Sequence, residues 1–415
     1  MKTMRLPKNK VLILFGIMAL YIVLAGSLLA AVSMGIITKS LPTIAETITN
    51  DSIPDSIQKS ILPQLQSAQS FFDTHLLKTN GHIDLYYAEN NTMLQNNISV
   101  GDNSTNSEAV SYYLLWKAES NDKASFDNEL EFIKKNMLQP TYGYLMWHLN
   151  ANYQAVGDGS NIATDADLRT IKALLIAESQ WKDENYTIMI NQLASGLEKV
   201  GVTKDGYLAP YGGVSGETSI WTADEVWLSY SDFTVIRELA TRRGQPWISI
   251  YDKMKSATLK AQLENGLYNT VLTKDRNYGN SIDNGGYSIN SIWMMIRNSE
   301  SQDAELMQSA RKSLQFYKDH FSMDTELYAT YGSNGDPLSS SDNPWVYALV
   351  GRAAIALGDK PFSELMIQKL IEHQVSDNQS ILFGSFPEGY GNDVKVGQFT
   401  MQESILTMQA FNEKN

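Results

Sequence analysis

A chain of 415 residues, 43% hydrophobic and 19% charged, has the apolar material for a large core and too few charges for a mostly disordered protein. Acidic residues outnumber Lys and Arg by 46 to 33, a net charge of −13 that argues against nucleic acid as a partner. Cysteine is absent, and the five histidines, His75, His82, His148, His320 and His373, form no close pair, so disulfides, thiolate chemistry and a zinc motif are excluded and no metal or cofactor is expected.

The first ten residues carry Lys2, Arg5, Lys8 and Lys10, and residues 11–37 follow without a charge or a proline. That length suits a transmembrane signal-anchor, and the basic flank (1–10) predicts a cytoplasmic N-terminus with the remainder of the chain outside the cell membrane. Cleavage near Ala30-Ala31-Val32-Ser33 is the alternative, and would make the protein secreted. Beyond the leader, 29 basic residues face 46 acidic ones, a charge of −17 that suits a soluble outer domain and uncharged or cationic ligands. Residues 38–54, rich in Thr, Ser and Ile with two prolines, read as a linker, and residues 55–415 as one domain.

Helical periodicity begins with Ile57, Ile61, Leu65, Ala68 and Phe72, returns in Phe126, Leu130, Ile133 and Met137, and again in Ile190, Leu193, Leu197 and Val200. Further helices are predicted at about 108–119, 164–181, 232–243, 247–264, 287–298, 302–319, 344–357, 360–373 and 399–412. Between them, residues 81–87, 142–149 and 207–227 combine aromatic and β-branched residues with Gly turns and predict short strands or hairpins at one end. A dozen amphipathic helices suit an all-α toroid, although periodicity alone does not separate a toroid from a helical solenoid, and no internal repeat is evident.

One motif carries chemistry. Ala163-Thr164-Asp165-Ala166-Asp167, continuing through Ala177 to Trp181, resembles the signature of glycoside hydrolase family 8, with Thr170 and Ile171 departing from the family pattern. Upstream, Ser107-Glu108 with Tyr112 and Tyr113 resembles the family's Ser-Glu-Gly-x-x-Tyr region; between the two, Leu145-Met146-Trp147 and Asp158 resemble the segment leading into the Asp motif, and Leu228 to Phe233 resembles a later stretch. The resemblance implies an (α/α)6 barrel and inverting hydrolysis of a β-linked polysaccharide by two carboxyl groups. It makes Glu108 the proton donor and Asp165 the residue that distorts the sugar or stabilises the charge developing on it. Each carboxylate, taken alone, also suits a first-turn position facing a helix dipole.

The base departs from the family. Where commoner members have Tyr-Asp-Ala-x-Arg, this chain reads Tyr287-Ser288-Ile289-Asn290-Ser291, with serine in place of both aspartate and arginine. Asp283, four residues before Tyr287, is the expected substitute, with Asp232, Asp224 and Glu225 behind it. Sugar rings stack on aromatic faces, which nominates Trp147, Tyr112, Tyr211, Trp221, Trp227 and Tyr287 as substrate-binding residues. The implied partners are a polysaccharide, the membrane through the N-terminal helix, and exopolysaccharide synthesis machinery. The rival reading is a catalytically degenerate glycan-binding protein on the same scaffold.

Overall fold

The computed structural model describes residues 61–87, 104–216, 218–283, 285–339, 342–388 and 395–414. The predicted flank 1–10, span 11–37 and linker 38–54 lie outside them, and among the described residues no helix is long and apolar enough to cross a membrane.

Twelve α-helices are present among the described residues, at every position the sequence predicts. They are α1 (Leu62–His75), α2 (Ser107–Glu119), α3 (Lys123–Asn136), α4 (Thr164–Trp181), α5 (Glu184–Val200), α6 (Phe233–Arg243), α7 (Trp247–Ala261), α8 (Ile289–Glu300), α9 (Ala304–Asp324), α10 (Pro344–Leu357), α11 (Lys360–Glu372) and α12 (Gln398–Lys414). The even-numbered helices contact one another in sequence, and α12 returns to α2, closing an inner ring of six. Each odd-numbered helix packs outside it, and α1 joins α12 to complete the sixth hairpin, so the toroid rather than the solenoid is realised.

Outer helices show the periodicity of half-buried surfaces: Phe126, Leu130 and Ile133 of α3 face inward, and its charged residues, Glu129 excepted, lie toward water. Inner helices are covered on both sides. In α2 every residue from Ala109 to Ala118 is buried, and α12 buries Gln398, Gln402, Glu403, Ser404, Thr407 and Gln409 beside its apolar residues. Asp or Asn side chains cap seven helices, Asn106, Asp122, Asp183, Asp232, Asp303, Asn343 and Asp359 each accepting a backbone N–H of the first turn. Each such cap contributes about 1 kcal/mol.

The connections are unequal. Inner helices pass to outer ones in two or three residues, whereas the returns are long and gather at the N-terminal ends of the inner helices. Every return carries a glycine in the left-handed region: Gly81, Gly143, Gly206, Gly266, Gly335 and Gly384. At Gly143 and Gly384 the neighbouring outer helix allows nothing larger, because a Cβ would stand 2.6 Å from the Gln192 carbonyl oxygen and 2.3 Å from that of Ser67.

Short antiparallel ladders then stitch one return to the next around the rim. β1 (Tyr86–Tyr87) pairs with β10 (Val396–Gly397), and β2 (Thr105–Asn106) with β3 (His148–Leu149). β4 (Ile162–Ala163), β5 (Tyr211–Ser215) and β6 (Ser219–Thr222) form one three-stranded sheet. β7 (Val226–Trp227), β8 (Val271–Leu272) and β9 (Tyr278–Gly279) form another. This laced rim positions the site.

Candidate active site

Glu108 occupies the first turn of α2, whose start is fixed by Asn106 and by the Ser107 N–H donating to the Trp147 carbonyl at 2.9 Å. Trp147 in turn donates its N–H to the Asn161 carbonyl at 2.8 Å, so one backbone chain joins the Glu108 helix to the loop that leads into α4. Asp165 lies in the first turn of α4, anchored by the Ala163–Tyr211 register and by the Thr164 N–H donating to the Pro210 carbonyl.

Beside Glu108 opens a cavity of about 320 Å³, lined also by Trp147, Asp158, Asn161, Pro210, Tyr211, Trp221, Trp227 and Tyr230. Trp221, Tyr211, Trp227 and Tyr230 follow one another in edge-to-face contact, with centroids 6.1, 5.9 and 5.2 Å apart. Glu225 fixes two of them: its Oε1 accepts from the Tyr211 hydroxyl at 3.1 Å and from Trp227 Nε1 at 2.9 Å. Glu108 and Asp158 are the charged lining residues, and no Lys or Arg joins them among the described residues.

Electrostatics separate the two carboxyls. Burial, and then the neighbouring Asp165 carboxylate, push Glu108 up to about 7 against the opposing pull of Arg169, so it carries a proton near neutrality. Asp165 is 2% exposed and ion-paired, its Oδ2 2.9 Å from Arg169 Nη2, while its Oδ1 is buried without a donor. Burial, with Asp165 and Glu108 nearby, holds the Tyr230 hydroxyl well above its ordinary pKa, so it remains a donor. Asp167 turns away and accepts the Leu145 N–H at 3.1 Å, a structural bond.

Below the site the lumen is filled with charge. Asp232 lies 2.8 Å from Arg297 and 3.6 Å from Lys172; Lys172 pairs with Glu300 at 2.6 Å, Glu300 with Arg352 at 2.9 Å, and Arg352 with Glu403 at 3.2 Å.

Glu108, Trp147, Tyr211, Trp221 and Trp227 therefore share one cavity, with Asp165 just behind it. Three other expected site residues do not line it. Tyr112 is 2% exposed, its ring beneath the Arg169 guanidinium; Tyr287 is 7% exposed, and its hydroxyl donates to Asn269. Both belong to the packing under the rim. Asp283 accepts from Asn290 Nδ2 at 2.9 Å and from Thr270 Oγ1 at 3.4 Å, and burial raises its pKa. Asn290 Oδ1 accepts at 2.8 Å from the Oγ of Ser229, the residue before Tyr230, so Asp283 is linked to the site through that chain. Among the fallback bases, Asp232 is committed to its cap and Arg297, Glu225 to the two aromatics, and Asp224 is exposed. Tyr230 and Arg169 were not singled out from sequence, although both fall within stretches that resemble the family.

Residues 86–329 match the sequence model of glycosyl hydrolases family 8. An endoglucanase of Escherichia coli O157:H7 is 28% identical over 154 residues, which cover 35% of this chain and 41% of the relative; the match thus spans under half of that protein. Among solved structures, a novel alpha-amylase from Clostridium perfringens superposes with a TM-score of 0.72 at 24% identity, over 84% of this chain and 97% of the other. Endoglucanase Cel10, a family 8 glycosyl hydrolase from Klebsiella pneumoniae, superposes at 0.54 with 19% identity, over 73% and 96%. Both likenesses are of fold.

Proposed function

Since the chain belongs to glycosyl hydrolases family 8, we propose that it is a glycosidase that cleaves a polysaccharide by inversion. The carrying observation is Glu108, a carboxyl held near a pKa of about 7 at the wall of a cavity edged by four large aromatic rings besides Tyr230. In this reading Glu108 gives its proton to the glycosidic oxygen as the C–O bond breaks. A water attacks the anomeric carbon from the opposite face and loses its proton to a base, and Asp165 Oδ1 accepts from the distorted sugar. Asp283, released from Asn290 as substrate enters, is the proposed base.

Among the described residues no Lys or Arg lines the cavity, which favours a neutral or amino sugar polymer over a uronate, and we favour a β-linked extracellular glycan trimmed at the outer face of the membrane during exopolysaccharide synthesis. The engagement of Asp283 by Asn290 and Thr270 favours a second reading, a glycan-binding protein without turnover.

One experiment separates them. The purified protein and its Glu108→Gln variant are incubated with cellulose derivatives, xylan, chitosan, starch and host exopolysaccharide, with new reducing ends and binding measured together. Release by wild type alone supports the hydrolase and names the linkage; binding without release transfers the case to the glycan-binding protein.

A further inference from the structure

The family motif sets an arginine where this chain has Ser291, and neither serine of the altered motif is free to act. Ser288 Oγ donates to the Ala329 carbonyl at 2.8 Å, and Ser291 Oγ accepts the Tyr268 N–H at 3.0 Å. A guanidinium nevertheless stands at the site. Arg169, one turn beyond Asp165 on α4, is 1% exposed.

Its bonds run to both carboxyl-bearing helices. Nη2 holds Asp165 Oδ2 at 2.9 Å, and Nη1 donates to Ser111 Oγ on α2 at 2.9 Å. The Ser111 hydroxyl passes its own hydrogen to the Glu108 carbonyl, also at 2.9 Å, and the guanidinium rests on the Tyr112 ring with Cζ 3.8 Å from the centroid. Burying an arginine carries a desolvation cost that a helix contact made only for packing has no need to incur. What this one achieves is specific: Asp165 is fixed by one oxygen, its buried Oδ1 stays open, and the turn carrying Glu108 is tied to the same cation.

We propose that Arg169 is a positioning residue, supplying from α4 the guanidinium that the family motif supplies from α8 and thereby fixing Asp165 and the Glu108 turn relative to each other. The proposal rests on the hydrolase reading above. Among the described residues, the charged and titratable groups facing Glu108 are Asp165 and Arg169 from α4, Tyr86 from β1, Asp158 across the cavity and the Tyr230 hydroxyl from the 3-10 turn before α6; Tyr112 and Glu403 stand behind Arg169.

The test compares Arg169→Gln, Arg169→Lys and Ser111→Ala with wild type in the full-length protein, after thermal melts establish that each folds. On whichever glycan wild type cleaves, Arg169→Gln is expected to lose on the order of 100-fold in kcat with KM changed little, as misplacement of a reacting group does. Arg169→Lys recovers part of the loss, because it keeps a charge but not the fork. Losing the cation also moves the alkaline limb of the pH profile, and the carboxyl 13C titration of Glu108, to higher pH.

A folded Arg169→Gln with wild-type kcat and an unmoved Glu108 titration overturns the proposal. Should Arg169→Gln not fold, Ser111→Ala decides: a tenfold or larger fall in kcat at constant KM supports the linkage, and full activity overturns it. Wild type inactive on every glycan would sink the hydrolase reading separately. The Glu108 titration needs no substrate and then judges Arg169 alone, a shift supporting its role and no shift overturning it.

Discussion

Asn106 serves Glu108 with both ends of its amide: Oδ1 accepts the Ala109 N–H at 2.8 Å and caps the helix, while Nδ2 stands 3.5 Å from Glu108 Oε2. The acid is thus fixed at a helix start while burial keeps its proton on. A general acid works only when protonated, so kcat/KM should fall as pH rises through about 7, the pKa of Glu108. Glu108→Gln should lower kcat on the order of 1,000-fold and abolish that alkaline limb. Rates measured from pH 4 to 9 decide it; a limb that survives in Glu108→Gln assigns the titration to another group.

The aromatic wall should govern affinity rather than chemistry. Trp147 is 36% exposed, so Trp147→Ala removes a stacking surface with little cost to the fold. We expect KM to rise about tenfold, consistent with one stacked ring worth about 1.5 kcal/mol, with kcat nearly unchanged. Glu225→Leu should raise KM in the same way, by freeing Tyr211 and Trp227. Equal losses in kcat would instead mean that these groups act in the transition state.

Charge in the lumen makes a stability prediction. Arg297→Met leaves Asp232, 3% exposed, with only the more distant Lys172, and should cost about 3 kcal/mol in urea unfolding. Adding Asp232→Asn should restore part of it, because asparagine still caps α6 and leaves no orphaned charge. A double variant no more stable than the single one would show that the loss comes from packing around the arginine stem.

Glu129 on α3 is fully buried with neither carboxyl oxygen partnered, and burial raises its pKa well above 4.5. The unfolded chain releases this proton as pH passes about 4.5 whereas the folded one keeps it, so the group opposes folding increasingly above that pH. Glu129→Met should therefore stabilise by about 1–3 kcal/mol at pH 7.5 and by less at pH 4.5. Unfolding curves at the two pH values check the sign; equal gains at both would mean that packing is responsible.

Much of this architecture was legible in the sequence, for identifiable reasons. Outer helices such as α3 and α5 declare themselves because one face is wet, so Phe126 and Leu130, or Ile190 and Leu193, recur at helical spacing. Inner helices such as α2 and α12 lack that contrast, and motif and length reveal them instead. The sixfold return-turn glycine escaped notice because its intervals vary with loop length, from Gly335 to Gly384 at the shortest and from Gly266 to Gly335 at the longest. Motif order nominated Glu108 and Asp165, and the structure places Glu108 at the cavity wall with Asp165 paired to Arg169 behind it. Tyr112 and Tyr287 were mistaken for sugar platforms, because residue type does not say which side of the rim a ring will face. The i to i+4 spacing of Asp165 and Arg169 was readable, and its importance emerges only once both are known to be buried.

The pairing of α1 with α12 also sets an order of events. As the chain is made, eleven of the twelve helices among the described residues emerge before Gln398–Lys414 exists. Until that segment arrives the ring has a gap, and Arg352 waits for Glu403. Gln398–Lys414 is both wall and counter-ion, so a chain cut short just before it loses far more than one helix: it leaves an open horseshoe with a wet, unbalanced interior, a natural substrate for quality control.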